Sequence, residues 1–384
     1  MPNSELDKYK LNFSSGYNVT DRLEVSGSIN YSRQEAMGRQ ETGYSTIMSM
    51  FRQWWATNVD ITRLQDAYER NQNNPYSDNA SWNLSPDLSE PYYWNNPYFE
   101  RNENYTTDQR DRYFGYAEAN YDIADWLNIT GRVSVDTYSQ IIEERVNLDN
   151  KATQVPNYTQ QRQNFAEHNY DLLANYNLQP LESLEVSGVV GMNIRRSETR
   201  GITATTNGGL ATKDLFSLSN SVYGLQYPSE TDITRGVNGY FARVALNYND
   251  YLNIELTGRR DKSSTLPEDE NVYYYPSASA GFIFSEFVDA EWLSFGKLRA
   301  SAAEVGSPAP AYSLNDTYMR RDANFGAAPL YTRSSIKNNP DLKPERTRSW
   351  EVGLQMAFLN EQLRFDANYY DQNTLDQIIA TDVS

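Results

Sequence analysis

The sequence predicts an all-β protein, an antiparallel up-and-down transmembrane β-barrel with about twelve strands in this chain. Three observations predict it. Apolar residues fall on every second position in repeated stretches, so each stretch is an extended strand with one greasy and one polar face. The connections alternate between turns of a few residues and long polar loops, as an outer-membrane barrel requires with its short periplasmic turns and long extracellular loops. Tyr and Trp collect at strand ends, at Tyr9, Tyr31, Tyr121, Tyr138, Tyr248, Tyr251 and Trp350, where an interfacial aromatic girdle belongs.

The first hairpin alternates Tyr9, Leu11, Phe13, Tyr17 and Val19 with polar neighbours, turns at Asp21-Arg22, and resumes with Leu23, Val25, Ile29 and Tyr31. From residue 32 to about 110 the alternation vanishes into a long loop rich in Asn, Pro, Tyr and Trp. Within it, Ile61, Leu64 and Tyr68 recur at helical spacing and predict a short helix over Asp60 to Arg70. Period two returns at Tyr113 to Ile123, turns at Ala124-Asp125-Trp126, and continues through Leu127, Ile129, Val133 and Val135. A second long loop is expected over 139–168, with the lone histidine, His168, at its end. Tyr170 to Leu178 and Leu184 to Met192 make the next hairpin, and a third long loop covers 195–238. Tyr240 to Tyr248, Asn249-Asp250-Tyr251 and Leu252 to Leu256 form the clearest hairpin. Strands near Tyr274 to Phe284 and Gly296 to Ala303 follow, then a fourth long loop over 305–345. Trp350, Val352, Leu354, Met356 and Phe358 alternate strictly, and after Leu359 to Gln362 the pattern resumes with Leu363, Phe365, Ala367 and Tyr369. Asp376 to Ile379 reads as the start of a further strand.

Composition fits the same architecture. Only 39% of residues are hydrophobic, yet the chain holds 30 Tyr, 14 Phe and 7 Trp, far too aromatic for a disordered chain. A barrel reconciles these facts, since only the outward half of each strand needs to be apolar. The sequence has no apolar run long enough for a membrane-spanning helix, which does not bear on barrel strands. A net charge of −17 argues against nucleic acid as a partner, and zero Cys excludes a disulfide framework. The first residues show neither the basic start nor the apolar segment of a signal peptide, so an exported form is expected to carry additional N-terminal sequence.

Asn339 to Gly353 (NPDLKPERTRSWEVG) resembles the loop-to-strand signature of TonB-dependent outer-membrane transporters, on Asn339, Pro340, Leu342, Lys343, Pro344, Glu345, Arg346, Glu351 and Gly353. FRQWW at Phe51 to Trp55, WNNPYF at Trp94 to Phe99 and RDRYFG at Arg110 to Gly115 resemble the SusC/RagA branch. GRRDKSSTLP at Gly258 to Pro267, YYYPSASAGF at Tyr273 to Phe282 and KLRASAAEVG at Lys297 to Gly306 share that likeness. The resemblance implies a larger, 22-stranded barrel around an N-terminal plug. It also implies a SusD-like surface lipoprotein as lid, glycans or peptides as substrate, and TonB pulling on the plug. The location would be the lipid of a Gram-negative, Bacteroidetes-like cell outer membrane, crossed many times. No plug, TonB box or terminal aromatic strand is recognisable, so residues 1–384 are expected to be a partial barrel domain from the middle of a longer transporter.

A transporter needs no catalytic constellation. One histidine excludes a multi-His metal site and a conventional His-based triad, and no catalytic, cofactor-binding or metal residue is assigned. The acidic runs Glu143-Glu144 and Glu268-Asp269-Glu270 read as solvated loop charges. Trp54, Trp55, Trp82, Tyr92, Tyr93 and Trp94 lie in the longest loop, with Arg52 and Gln53 beside them. Sugar C–H faces pack on such rings, while amides and guanidinium groups hydrogen-bond hydroxyls or peptide groups. These eight residues are candidates for contact with substrate or lid, the other reading being that they pack the loop on itself. Lys343, Glu345 and Arg346 are expected to fix the loop foot by ion pairing. A non-energised porin or a binding or adhesion barrel stays open beside active import.

Overall fold

A computed structural model describes residues 3–39, 46–71, 79–83, 93–150, 155–334 and 336–379. Strands β1 (Glu5–Thr20), β2 (Leu23–Met37), β3 (Tyr105–Ala124), β4 (Leu127–Val146), β5 (Asn157–Leu181) and β6 (Leu184–Thr205) form the first half of the wall. A small hairpin, β7 (Asn207–Leu210) and β8 (Ser221–Tyr223), lies outside it. The second half holds β9 (Ser229–Tyr248), β10 (Leu252–Ser263), β11 (Val272–Ile283) and β12 (Leu293–Ser307). A further loop hairpin, β13 (Tyr318–Phe325) and β14 (Ala328–Arg333), precedes β15 (Glu345–Phe358) and β16 (Leu363–Leu375). The described residues form one 12-stranded sheet in which every strand pairs antiparallel with its neighbour in sequence, apart from the two loop hairpins. That is an up-and-down meander.

The register sorts side chains into two unlike faces. Leu23, Tyr121, Ile129, Ala174 and Val190 belong to the alternating set that continues through Ala242, Leu256, Ala278, Ala300, Val352 and Tyr369. Many of these apolar side chains are solvent-open in the isolated chain, among them Val133, Leu172, Leu256 and Phe365. Such a continuous greasy face belongs against lipid. The opposite face is polar and laced with ion pairs: Arg112–Asp136 at 2.5 Å, Arg132–Glu118 at 2.5 Å, Arg243–Glu255 at 2.6 Å and Arg299–Asp366 at 2.7 Å.

Two aromatic belts bound the greasy face. Towards the long loops stand Tyr31, Tyr113, Tyr170, Tyr240, Tyr274 and Trp350; Tyr31 and Tyr113 meet at 4.8 Å and Trp350 meets Tyr369 at 5.4 Å. Towards the turns, Tyr251 meets Phe287 at 4.8 Å and Trp292 stacks on Phe358 at 5.8 Å. Tyr240 and Tyr248 on β9 are separated by about 26 Å of strand. At a tilt near 40° that is roughly 20 Å of membrane normal, comparable to the apolar band of a barrel. Tyr138, expected in the girdle, instead sits on the polar face with the Arg110 guanidinium 3.9 Å from its ring centre.

The tight turns are those the alternation predicts. Asn249 and Asp250 reach the Tyr248-to-Leu252 reversal in left-handed backbone (φ 48° and 61°), a region these residue types enter readily. The strands, however, run further than the hydropathy pattern. The expected loops 32–110, 139–168, 195–238 and 305–345 shrink to 38–104, 147–156, 206–228 and 308–344. Above the girdle both faces meet water, so the backbone ladder continues while the apolar alternation stops. His168 accordingly lies inside β5, opposite Val135 and Arg196, not at a loop end. Glu143 is a β4 residue bonded by Tyr158 Oη at 2.6 Å and Arg145 at 2.6 Å, not a free loop acid. Asp376 to Ile379 do not begin a strand: Asp376 takes φ 55° and the chain turns away from the sheet.

Candidate functional site

The longest connection, 38–104, carries the predicted helix as α2 (Ile61–Asn71), after a short α1 (Ile47–Ser49) that runs into a π turn at Met50–Trp54. Asp60 precedes α2 and accepts from Thr62 Oγ1 at 2.7 Å and Thr62 N at 3.0 Å, bonds that cap the helix and hold the carboxyl below the usual range. A third helix, α3 (Pro97–Asn102), has Pro at its first position and Asn96 as cap, accepting from Tyr98 N at 2.9 Å.

Asn96 is the centre of a buried amide knot. Its exposure is 1%, its Nδ2 donates to Leu64 O and Ala80 O, both at 2.8 Å, and its backbone N–H donates to Asn79 Oδ1 at 2.8 Å. Asn95 donates to Glu100 Oε2 at 2.6 Å and Asn150 Oδ1 at 2.5 Å, and accepts from Asn79 at 2.6 Å. Asn147, with 0% exposure, ties in the other loops through Glu103 Oε2 at 2.9 Å and Asp214 Oδ1 at 2.6 Å. Lys213 pairs with Asp149 across the same junction. Residues from three loops, 38–104, 147–156 and 206–228, are thus stitched into one layer by hydrogen bonds more than by apolar packing. Buried amides so fully paired are rigid.

The aromatic candidates divide on this layer. Trp55 packs at 4.8 Å on Phe51 and edge-on at 5.3 Å against Trp82, a cluster internal to the loop. Trp54 and Tyr93 are exposed, at 47% and 51%, and Arg52 and Gln53 are exposed on the same π turn. Trp94 is half-buried next to the knot. Tyr92 lies outside the described residues. The fold therefore separates the seven described candidates into a packed set and an exposed set. Asn79, Asn104, Asn147 and Asn150 are not among the candidates; only the density of Asn in the loop points to them.

The Asn339-to-Gly353 motif is built as a loop foot. Asn339 Oδ1 accepts from Asp341 N at 3.0 Å and closes the turn around Pro340, while buried Pro344 leads into β15. Leu342 packs on the cluster of Leu266, Tyr273 and Ala309, joined there by Ile378. Glu345 Oε1 accepts from Ile378 N at 2.7 Å, and Arg346 pairs with Asp376 at 3.0 Å and Glu304 at 3.7 Å. Lys343 stands 3.8 Å from Glu270. Glu351 points to the polar face opposite Tyr370 and Ser301. Gly353 makes room on that face: a Cβ there would overlap Arg299 Nε and Asn368 Oδ1, which together with Asp366 form a clamp across β12, β15 and β16. Gly353→Ala is expected to lower stability by about 1–3 kcal/mol through this overpacking, read as a shift in the unfolding midpoint.

A family model described as TonB dependent receptor-like, beta-barrel matches residues 52–384. The chain belongs to that family. Two curated relatives are similar to parts of it, both from Formosa agariphila. TonB-dependent receptor P26 is 26% identical over 181 residues, 43% of this chain and 18% of the relative. TonB-dependent receptor P3 is 20% identical over 270 residues, 68% of this chain and 25% of the relative. The chain thus spans a quarter or less of the length of these relatives. Among solved structures, the RagAB peptide transporter matches with a TM-score of 0.73 at 16% identity, over 97% of this chain and 40% of that one. The ferric-catecholate import receptor Fiu from E. coli matches with a TM-score of 0.53 at 11% identity, over 97% and 52%. The closer fold match to RagAB is in line with the SusC/RagA likeness of the sequence motifs.

In this TonB-dependent receptor barrel, the amide knot carries an acid outside the wall whose titration is shifted. Burial lifts the Glu100 carboxyl above the usual glutamate range, although the Asn95 and Asn104 amides pull it down. A raised folded pKa favours the protonated form, so its contribution to the knot is fully present below the unfolded value and is lost as pH rises through the folded one. Hydrogen-exchange protection of residues 96–104, corrected for intrinsic rates, is expected to increase as pH falls from neutrality towards about 4.5. Glu100→Gln is expected to flatten that dependence.

Proposed function

We propose that this chain is wall and surface loops of an energised outer-membrane importer for glycans or peptides, working with a SusD-like surface lipoprotein. The observation that carries the reading is the stitched loop layer. It holds Trp54, Tyr93, Arg52 and Gln53 open on a rigid base at the long-loop end, while the polar face below is lined with paired charges. Exposed rings with neighbouring amide and guanidinium groups suit oligosaccharide or peptide backbones, and suit equally the underside of a protein lid. In this reading the long loops face outside, the turns face the periplasm, and the polar wall surrounds a plug that TonB engages. The peptide cargo in the name of the RagAB transporter supports the proposal by analogy of fold.

Uptake decides it. Cells carrying the full-length receptor are given fluorescent peptides or oligosaccharides, with TonB present or deleted. The proposal expects accumulation that depends on TonB and on the companion lipoprotein. Accumulation that persists without TonB would identify a passive porin, and surface retention without entry would identify a binding barrel.

A further inference from the structure

Most outward-pointing arginines of this wall have a carboxylate partner. Arg33 pairs with Glu35, Arg200 with Glu198, Arg346 with Asp376 and Arg348 with Glu304 at 2.7 Å. Around the junction of β6, β9 and β10 the pattern breaks. Arg196, Arg260 and Lys262 share the lipid-side face by register: Arg196 lies opposite Gly236, Arg260 opposite Tyr240 and Lys262 opposite Asn238. Among the described residues, no carboxylate forms an ion pair with any of the three. The outward acid two positions along β6, Glu198, is taken by Arg200.

The cluster is built rather than scattered. The Arg196 guanidinium donates to Arg195 O at 2.7 Å, Val237 O at 3.3 Å and Asn238 Oδ1 at 2.8 Å, so it is tied to both β6 and β9. Arg196 lies over Gly236, close enough that a Cβ there would rest in ordinary contact with it at 3.4 Å. Ser264 Oγ accepts from Gly236 N at 2.9 Å and fixes the neighbouring edge where β10 ends. Arg196, Gly236, Asn238, Lys262 and Ser264 line one cavity of about 470 Å³. It sits one step beyond Tyr240 and Tyr274, the aromatic belt at the long-loop side of the greasy face.

We infer that this cavity binds the phosphorylated headgroup of a lipid in the surrounding leaflet, its acyl chains lying down the apolar wall over Ala242 and Val190. A phosphate monoester carries up to two negative charges and three acceptor oxygens, which the free guanidinium edge and the Lys262 ammonium complete. In a chain with net charge −17, three unneutralised cations at the interfacial level are costly next to lipid unless an anion joins them. The wall supplies the apolar half of the site and the cavity the polar half.

The test uses the full-length receptor in phosphatidylethanolamine nanodiscs doped with phosphorylated lipid A or its dephosphorylated form, with retained lipid counted by native mass spectrometry. The wild type is expected to retain the phosphorylated form preferentially. Arg196→Gln with Lys262→Gln is expected to cut that retention roughly thirty-fold, the combined effect of two surface cations. Arg348→Gln, outward but already paired with Glu304, leaves it unchanged. Heat-modifiable gel migration verifies that each variant is a folded barrel. Equal retention of the two lipids, an unaltered double variant, or an equal loss in Arg348→Gln overturns the assignment. So does binding of inorganic phosphate without lipid retention, which would make the cavity a site for free anions.

Discussion

Leu256→Arg is expected to destabilise the barrel by about 2–4 kcal/mol, while Ser279→Arg on the neighbouring strand costs much less. Leu256 lies midway along the greasy face, between Val244 on β9 and Ala278 on β11, and is 51% exposed in the isolated chain. A guanidinium placed there must leave water for hydrocarbon, with no carboxylate among its described outward neighbours on β9, β10 and β11 to meet it. Ser279 points the other way, directly across from Glu255 on the polar face, where Arg243 already pairs at 2.6 Å. An added arginine there meets water and acids. Urea-dependent unfolding in lipid vesicles measures both variants. Equal losses for the two would mean that the faces are not chemically distinct.

Asn96→Ala is expected to open the loop layer without unfolding the wall. The side chain satisfies three backbone groups, Leu64 O, Ala80 O and Tyr98 N, and serves as the cap of α3. Alanine removes all three bonds in a site with 1% exposure. Losing the cap costs about 1 kcal/mol, and each buried orphan adds about 1–3 kcal/mol. Local opening should therefore become easier by roughly 3–5 kcal/mol, after allowing for water that enters. Limited proteolysis between residues 46 and 104 should accelerate by two orders of magnitude or more, while exchange of the β3 to β6 amides stays slow. If the wall exchanges as fast as the loop, the layer is an integral part of the barrel's stability instead of a platform on it.

How much of this was legible in the sequence follows from where lipid lies. Between the two aromatic belts each strand has one face against hydrocarbon, so Tyr240 to Tyr248 and Trp350 to Phe358 announce themselves by strict alternation. Beyond the upper belt, residues such as Gln140, Arg162 and Arg200 are ladder-paired but wet on both sides, and hydropathy carries no signal. That is why every long loop was expected too wide and His168 was placed at a loop end. The helix at Ile61–Asn71 was visible because its Ile, Leu and Tyr spacing is local. The amide knot was not, because its partners come from three loops separated by up to 135 residues, as Asn79 and Asp214 are. The motif at Asn339 to Gly353 is recognisable as a pattern, but its physical role needs distant partners: Ile378, Asp376 and Glu304 at the loop foot, and Arg299, Asp366 and Asn368 around Gly353 on the wall.

Single-cysteine labelling in intact cells tests the central claim most directly, that this wall crosses the outer membrane with its long loops outside. The chain contains no cysteine, so each introduced thiol reports alone within it. Tyr93→Cys lies on the exposed loop layer and Asp125→Cys in the β3–β4 turn. A membrane-impermeant maleimide should label the first in whole cells and the second only after the outer membrane is permeabilised. Labelling of Asp125→Cys in intact cells, with Tyr93→Cys protected, would contradict the account by placing the loops on the periplasmic side.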